Sequence, residues 1–449
     1  MVKTLKAYSA PGKAFIAGGY LVLEERFSAY VTALSSRMHA VVEAKYTENQ
    51  SPTITVKSPQ FASLEWKYTI DENFECHEKQ GLKNPFIEAT VFTAVAYGSL
   101  SLSYDIVITL YSDPGYHTQD DTTKKTTSDG SREFLYHEKA INEVEKTGLG
   151  SSAGLVTVVT AALLCFFKKA NVDEIQDQIH NCAQIAHCLA QKKVGSGFDV
   201  ATAVYGSIIY NRFSPKVVNE IYQDRFFEDK TPTTKKAFVD HLTSVVDSKW
   251  EFRHAEWELP PGIRLVMGDI KGGSETPKLV SKVLKWRAEN PKESDELYGK
   301  LEEANSQFIL SVDLLRLLHS QDKETYQYWL EKLTHEAPVA KDNPFHGITE
   351  RFTTIRKHLR ELTKVTGAEI EPPEQTKLLD ACTTIEGCLG GVVPGAGGYD
   401  AICLLIAEKA IPSFIEKTKS DSRFAAVSWL RLHEETEGLR NEDPNSYEI

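Results

Sequence analysis

Residues 146–157, KTGLGSSAGLVT, constrain this chain more than any other stretch. Gly148 and Gly150 can take backbone angles closed to other residues, and they let a ligand approach the main chain. Ser151, Ser152, Ala153 and Gly154 lead without interruption into an apolar run from Leu155 to Phe167 that lacks Gly and Pro. A glycine turn that opens a helix aims free N–H groups and the positive end of the helix dipole at its occupant, and a phosphate suits that place. The two serine hydroxyls can hold a phosphate oxygen or a metal ion. A plain turn with an ordinary N-cap gives the same local pattern, because Gly/Ser clusters mark turns. GLGSSA also fits the dinucleotide fingerprint G-x-G-x-x-A, which needs a strand after the helix and an acidic residue about 20 positions on. Here the following segment, NVDEIQDQIHNCAQIAHCLAQKK, reads as a second helix, which removes that reading. No G-x-x-x-x-G-K-[ST] occurs, so a Walker loop is excluded as well. A turn and a non-Walker triphosphate loop remain.

The 449 residues allow two or three domains with sizeable cores. The formal charge of −12 leaves no general basic footprint for nucleic acid, although a local basic pocket for a small anion is compatible with it. Seven cysteines show no C-x-x-C pair, which suggests reduced, buried thiols and a cytoplasmic protein. The start, MVKTLKAYSAPGK, has no apolar signal region, and no run of 18 apolar residues points to a membrane span.

Along the chain, LKAYSA, KAFIAGGYLVL, AYVTALS and MHAVVEAKY read as strands, with turns at Pro11–Gly12 and Gly18–Gly19. ITVKS and EWKYTI read as a hairpin, and YDIVITLYS as a strand. KNPFIEATVFTAVAYGSL reads as a helix with Asn84 as its N-cap. Residues 113–133 are polar and Thr-rich, the composition of a mobile loop or solvated excursion. Residues 173–193 carry the 3-4 apolar spacing of an amphipathic helix, on which His180 and His187 lie seven apart; without a third ligand a packing role is expected of both. GSGFDVATAVYGSIIYNRF gives a turn, a short apolar segment and a strand. Residues 211–261 are more polar, and the domain junction is placed there, dividing the chain into 1–225 and 226–449. The second half offers the strand GIRLVMGDI, helices over 276–288, 293–320 and 344–366, and a final α/β portion. The order of elements is that of an α+β protein.

The loop has two glycine-rich companions, SAPGKAFIAGGYLVL near the start and VPGAGGYDAI near the end. Each alone is a turn signal. Three such loops so far apart in sequence can converge on one interdomain cleft. An N-terminal PGK, a central G-L-G-S-S-A and a C-terminal G-A-G-G, in that order, make the chain resemble the GHMP kinases. It departs from their pattern at Glu143 or Val144, where a proline usually stands, and at Tyr399–Asp400, where many members have glycine and a small residue. With KNPFIE, SDPGYHTQ, GSGFDVATAVYGSI, MGDIKGGSET and GAEIEPP the likeness runs nearly end to end, toward the fungal members that phosphorylate 5-phosphomevalonate.

That resemblance implies a ribosomal S5 domain 2-like N-terminal domain and a ferredoxin-like C-terminal domain. It implies transfer of the ATP γ-phosphate to (R)-5-phosphomevalonate, giving 5-diphosphomevalonate and ADP, with ATP and Mg²⁺ required. Lys13 and Asp199 are the implied catalytic pair. Lys146, Thr147, Gly148, Leu149, Gly150, Ser151, Ser152, Ala153 and Gly154 would hold ATP, and Ser151 or Ser152 would face the metal. Tyr20, Ser196, Gly197, Lys271, Ser274, Thr276 and Gly397 are the substrate-side candidates. Partners would be these small molecules, with no nucleic acid and no membrane, in a monomer or weak homodimer. Locally, Asp199 also suits a helix N-cap, and Lys192 and Lys193 suit a helix C-terminus.

Overall fold

The computed structural model describes residues 4–48, 52–80, 83–98, 104–118, 121–141, 143–270 and 276–449. Strand β1 (Thr4–Ala17) pairs antiparallel with β2 (Ser28–Tyr46) along almost its whole length. Both are far longer than the separate strands expected from sequence. Pro11–Gly12 does not turn the chain; the register shifts there instead, and β2 takes up the slack at Ser35–Ser36. A bulge accommodates the missing proline N–H without ending the strand. The Gly18–Gly19 turn does end β1, and a short 3₁₀ turn, Leu21–Leu23, follows it.

The first sheet runs in the order Arg253–Glu256, Ile208–Asn211, β2, Tyr104–Ser112, Thr53–Ser58, Leu64–Ile70, Cys76–Gln80, with β1 pairing on β2 off this path. Helices α1 (Pro85–Gly98), α2 (Ser151–Lys168), α3 (Gln176–Gln191) and α4 (Phe198–Tyr205) cover it, with α2 against β1 and β2 and α1 and α3 packed on α2. Asn84 caps α1 as expected, its Oδ1 accepting from the N–H groups of Phe86 and Ile87. Helix α2 has a mean hydropathy of 1.7 over 18 residues, enough by composition to cross a bilayer, yet it is the core helix of this layer. Val156, Val159, Leu163 and Leu164 have no solvent exposure.

The second sheet is antiparallel throughout, in the order Cys388–Val392, Ala401–Ala407, Ile263–Ile270, Val427–Trp429. Helices Pro291–Gln321 and His346–Thr366 pack together beside it. The chain then returns to the first sheet: Glu434–Glu435 pairs with β2 and Arg440–Glu442 with β1. Arg37, 2% exposed, fastens this return. Its guanidinium donates to Ser9 Oγ (2.7 Å), to the Ser9 carbonyl (3.1 Å), to Glu435 (3.2 Å) and to the Gly438 carbonyl.

Sheet membership departs from a boundary at 225/226. Helix Pro232–Asp247 packs on α1 and α3, and Arg253–Glu256 pairs with Ile208–Asn211, so the first layer runs on through Glu256 and recovers the C-terminal strands. The junction region holds helices because Thr231 caps one of them, with Pro232 in its first turn and Phe238, Leu242 and Val246 buried at four-residue spacing. Residues 113–133 likewise depart from a loop. Thr122–Thr126 forms a hairpin with Glu133–His137, consistent with the strand preference of β-branched threonine.

Candidate active site

The central loop and the two glycine segments meet in one cleft between the sheets, with about 1010 Å³ of space partly open to solvent. Lys13, Tyr20, Thr147, Gly148, Ser196, Gly397 and Asp400 are among the residues on its walls.

Gly148 and Gly150 both have positive φ, 77° and 85°. Gly150 is the N-cap of α2 and supplies no side chain to the helix end, so the N–H groups of Ser151, Ser152 and Ala153 are left to an occupant. The first intrahelical bond is that from Gly154 N–H to the Gly150 carbonyl. Leu149 is buried and anchors the loop from below, and Thr147 donates its hydroxyl to the Gly115 carbonyl. Lys146 pairs with His117 just ahead of the loop.

β1 delivers Lys13 to this loop. Its backbone N–H donates to the Leu149 carbonyl (3.0 Å), and its Nζ donates to the Gly148 carbonyl (2.8 Å). The ammonium has three donors, so two remain for a ligand. Burial pushes its pKa below the usual lysine value, opposed by the charge of Asp199. Asp199 sits in the first turn of α4, behind the N-cap Gly197, and accepts from Val200 N–H (3.0 Å). Asp199 is therefore not the N-cap expected from sequence: no side chain caps α4, and the carboxylate meets one N–H of the first turn while its charge acts on Lys13.

On the other wall, Tyr20 donates its hydroxyl to the Ala396 carbonyl (2.7 Å), tying the 3₁₀ turn after β1 to the C-terminal glycine loop. Gly397 has φ 83°, and a Cβ there would stand 2.2 Å from the Ile370 carbonyl oxygen, so the backbones cross where only glycine fits. Ser196 lines the cleft, with its carbonyl held by Tyr210. Gly197 instead faces the protein: its carbonyl accepts from Gln184 (2.6 Å), and a Cβ would stand 2.5 Å from Phe213. Lys271 and Ser274 lie outside the described residues. Thr276 opens helix Thr276–Glu289, whose Val280 reaches the cleft.

Two residues that the sequence does not place at this site shape it. Arg212 donates to the carbonyls of Leu23 and Gly195 (2.7 Å each), clasping the turn before α4 to the turn after β1. His187 packs as expected, 5% exposed with its ring against Phe86, and it also makes polar contacts at the site. Its Nε2 lies 3.1 Å from Ser152 Oγ and 4.0 Å from Asp199 Oδ2. His180, on the same helix, does sit in the core, bonded to Asn181 and Gln184 and stacked on Phe252.

A glycine loop at a helix N-terminus, a lysine bound to that loop and an aspartate beside the lysine define a phosphoryl-transfer site without a Walker motif. The family of the GHMP kinases N terminal domain matches residues 126–207. A phosphomevalonate kinase of Candida albicans is 50% identical over 98% of this chain and 99% of its own. A peroxisomal phosphomevalonate kinase of Arabidopsis thaliana is 30% identical over 88% of each chain. The phosphomevalonate kinase of Streptococcus pneumoniae, solved with phosphomevalonate and AMPPNP, shares the fold at a TM-score of 0.60 and 17% identity, over 97% of this chain and 100% of that one. The chain belongs to the phosphomevalonate kinases, GHMP kinases that transfer a phosphate from ATP.

Proposed function

We propose that the cleft transfers the γ-phosphate of ATP to (R)-5-phosphomevalonate, with Lys13 as the central electrostatic group. The observation that carries this reading is the bond from Lys13 Nζ to the Gly148 carbonyl, which sets a cation at the mouth of an anion-binding loop. The N–H groups of Ser151, Ser152 and Ala153 take the phosphates of ATP, with Lys146 to Leu149 and Gly154 forming the loop around them. Tyr20, Ser196 and Gly397 face the acceptor side; Lys271, Ser274 and Thr276 are acceptor-side candidates on the family resemblance alone.

An acceptor phosphate has its second pKa near 6, so its nucleophilic oxygen arrives largely ionised at neutral pH. Proton removal is then a minor part of the barrier. Bringing two anions together is the major part: at ~4 Å and an effective dielectric of about 20, each like-charge pair costs roughly 4 kcal/mol. Lys13 offsets that repulsion with two free donors, and Asp199 holds it charged and in place. Asp199→Asn should lower kcat across the whole pH range; a loss that recovers steeply at high pH would instead make Asp199 a base.

Magnesium fits the oxygen donors of Ser151, Ser152 and Asp199, and it would supply charge neutralisation between the phosphates. Among the described residues no group of three His, Cys, Asp or Glu side chains gathers to hold an ion alone, as befits a cation held chiefly by nucleotide and water. Seven unpaired cysteines, six of them buried, support a cytoplasmic setting, and the acidic net charge supports small-molecule partners over nucleic acid.

ADP release measured side by side with mevalonate, 5-phosphomevalonate and 5-diphosphomevalonate tests the reading. ADP should form with 5-phosphomevalonate; release no greater than in buffer would overturn it.

A further inference from the structure

We propose that His187 is a positioning residue for the nucleotide loop: it accepts the hydroxyl proton of Ser152 and so fixes the direction in which that oxygen is presented at the N-terminus of α2. His187 is 5% exposed, on the last turns of α3, with its ring against Phe86 at 5.6 Å between centroids. Its Nε2 has two near neighbours, Ser152 Oγ at 3.1 Å and Gln191 Nε2 at 3.1 Å. A carboxamide nitrogen only donates, so Nε2 carries its lone pair toward Gln191 and the ring proton resides on Nδ1. Ser152, the other neighbour of that lone pair, is then also a donor. With its proton committed to the imidazole, the hydroxyl oxygen keeps its lone pairs for the mouth of the loop, where the N–H groups of the first turn of α2 converge. Ser151 has no corresponding partner among the described residues, so the two serines are not equivalent.

The same imidazole stands 4.0 Å from Asp199 Oδ2, whose other oxygen is held by Val200 N–H. One side chain on α3 thus lies between the N-terminus of α2, which bears the loop, and the first turn of α4, which bears the aspartate near Lys13. An acceptor at His187 leaves a serine oxygen free to face a cation or a phosphate-bound water, whereas a donor there would occupy it.

The inference rests on the nucleotide reading of the loop, and a binding experiment that needs no acceptor substrate tests both separately. ADP affinity is measured by calorimetry with and without Mn²⁺, for wild type, His187→Leu, His187→Gln, Ser152→Ala and the His187→Leu/Ser152→Ala pair, with a thermal melt for each. Leucine fills the space without accepting a proton; glutamine keeps an acceptor near the position of Nε2. His187→Leu should weaken ADP binding in the presence of Mn²⁺ by about tenfold, the scale of one hydrogen bond, and leave metal-free binding unchanged. His187→Gln should restore it, and His187→Leu should add nothing once Ser152 is alanine. Wild type that bound no ADP would overturn the nucleotide reading and this inference with it. Wild type that bound ADP while the two substitutions acted additively, or while glutamine behaved as leucine does, would overturn this inference alone.

Discussion

Alanine placed at Gly148 and, separately, at Gly150 should damage the enzyme in two different ways, although the backbone strain is the same. Both positions have φ near +80°, where an L-residue costs about 1–2 kcal/mol. With unfolding entropy of ~2.1 cal/mol/K per residue over a chain of this length, that strain lowers Tm by only about 1–2 °C, provided the two sheets unfold together. The surroundings differ. A Cβ at Gly148 meets nothing within 4 Å and projects into the cleft wall, whereas a Cβ at Gly150 stands 3.3 Å from Lys13 Cγ and 3.4 Å from Lys13 Cε. Gly150→Ala therefore pushes the Lys13 stem aside by a few tenths of an ångström, and misplacement on that scale costs roughly tenfold in rate. Gly148→Ala leaves Lys13 in place and puts a methyl group where the nucleotide lies. Steady-state kinetics in varied ATP should show a raised KM for Gly148→Ala with kcat nearly intact, and a lowered kcat for Gly150→Ala with KM nearly intact. Equal changes in both constants for the two variants would refute the assignment of Lys13 to the transferred phosphate.

Lys13 is half-buried and its pKa is lowered, so the alkaline limb of kcat/KM for ATP should begin below the ordinary lysine range; Lys13→Arg should remove that limb, and Lys13→Met should cost on the order of 10²–10³-fold in kcat. Persistence of the limb in the arginine variant would assign it to another group. Glu442 accepts from Ser9 (2.6 Å), Arg440 (2.9 Å) and Arg132 (2.8 Å), and although burial alone would raise its pKa, these bonds and charges bring it down from 4.5 to about 2. A carboxyl so depressed stabilises the fold fully above 4.5 and loses that contribution as pH falls toward 2, a contribution of about 3 kcal/mol. Urea midpoints should separate wild type from Glu442→Gln near neutral pH and converge in strong acid; curves that stay parallel across that window would contradict the linkage.

The features that sequence revealed are those whose causes are local. Asn84 caps α1 through N–H groups two and three residues away, and Gly148 and Gly150 sit beside the apolar run they launch. The three glycine segments were legible because each is self-contained, and their convergence followed from a family pattern. What escaped depends on partners far along the chain. His187 lies within an amphipathic helix pattern, and only the fold brings Ser152, 35 residues away, to its ring. Pro11–Gly12 carries the strongest turn signal in the first strand, yet pairing with β2 on both sides outweighs it. Thr231–Pro232 was a local signal of a helix start that the polarity of the region obscured, and the Thr-rich hairpin was hidden in the same way.

The C-terminal return onto the first sheet bears on how the protein is made. A ribosome delivers β1 and β2 early, but the groups that satisfy the Arg37 guanidinium at Glu435 and Gly438 lie 398 and 401 residues further along the chain. Until then a strongly desolvated cation in the first layer lacks half its partners. The first layer should therefore not complete its folding before residues 435–438 have emerged, however early its core collapses. A nascent chain stalled ahead of them should remain a client of chaperones.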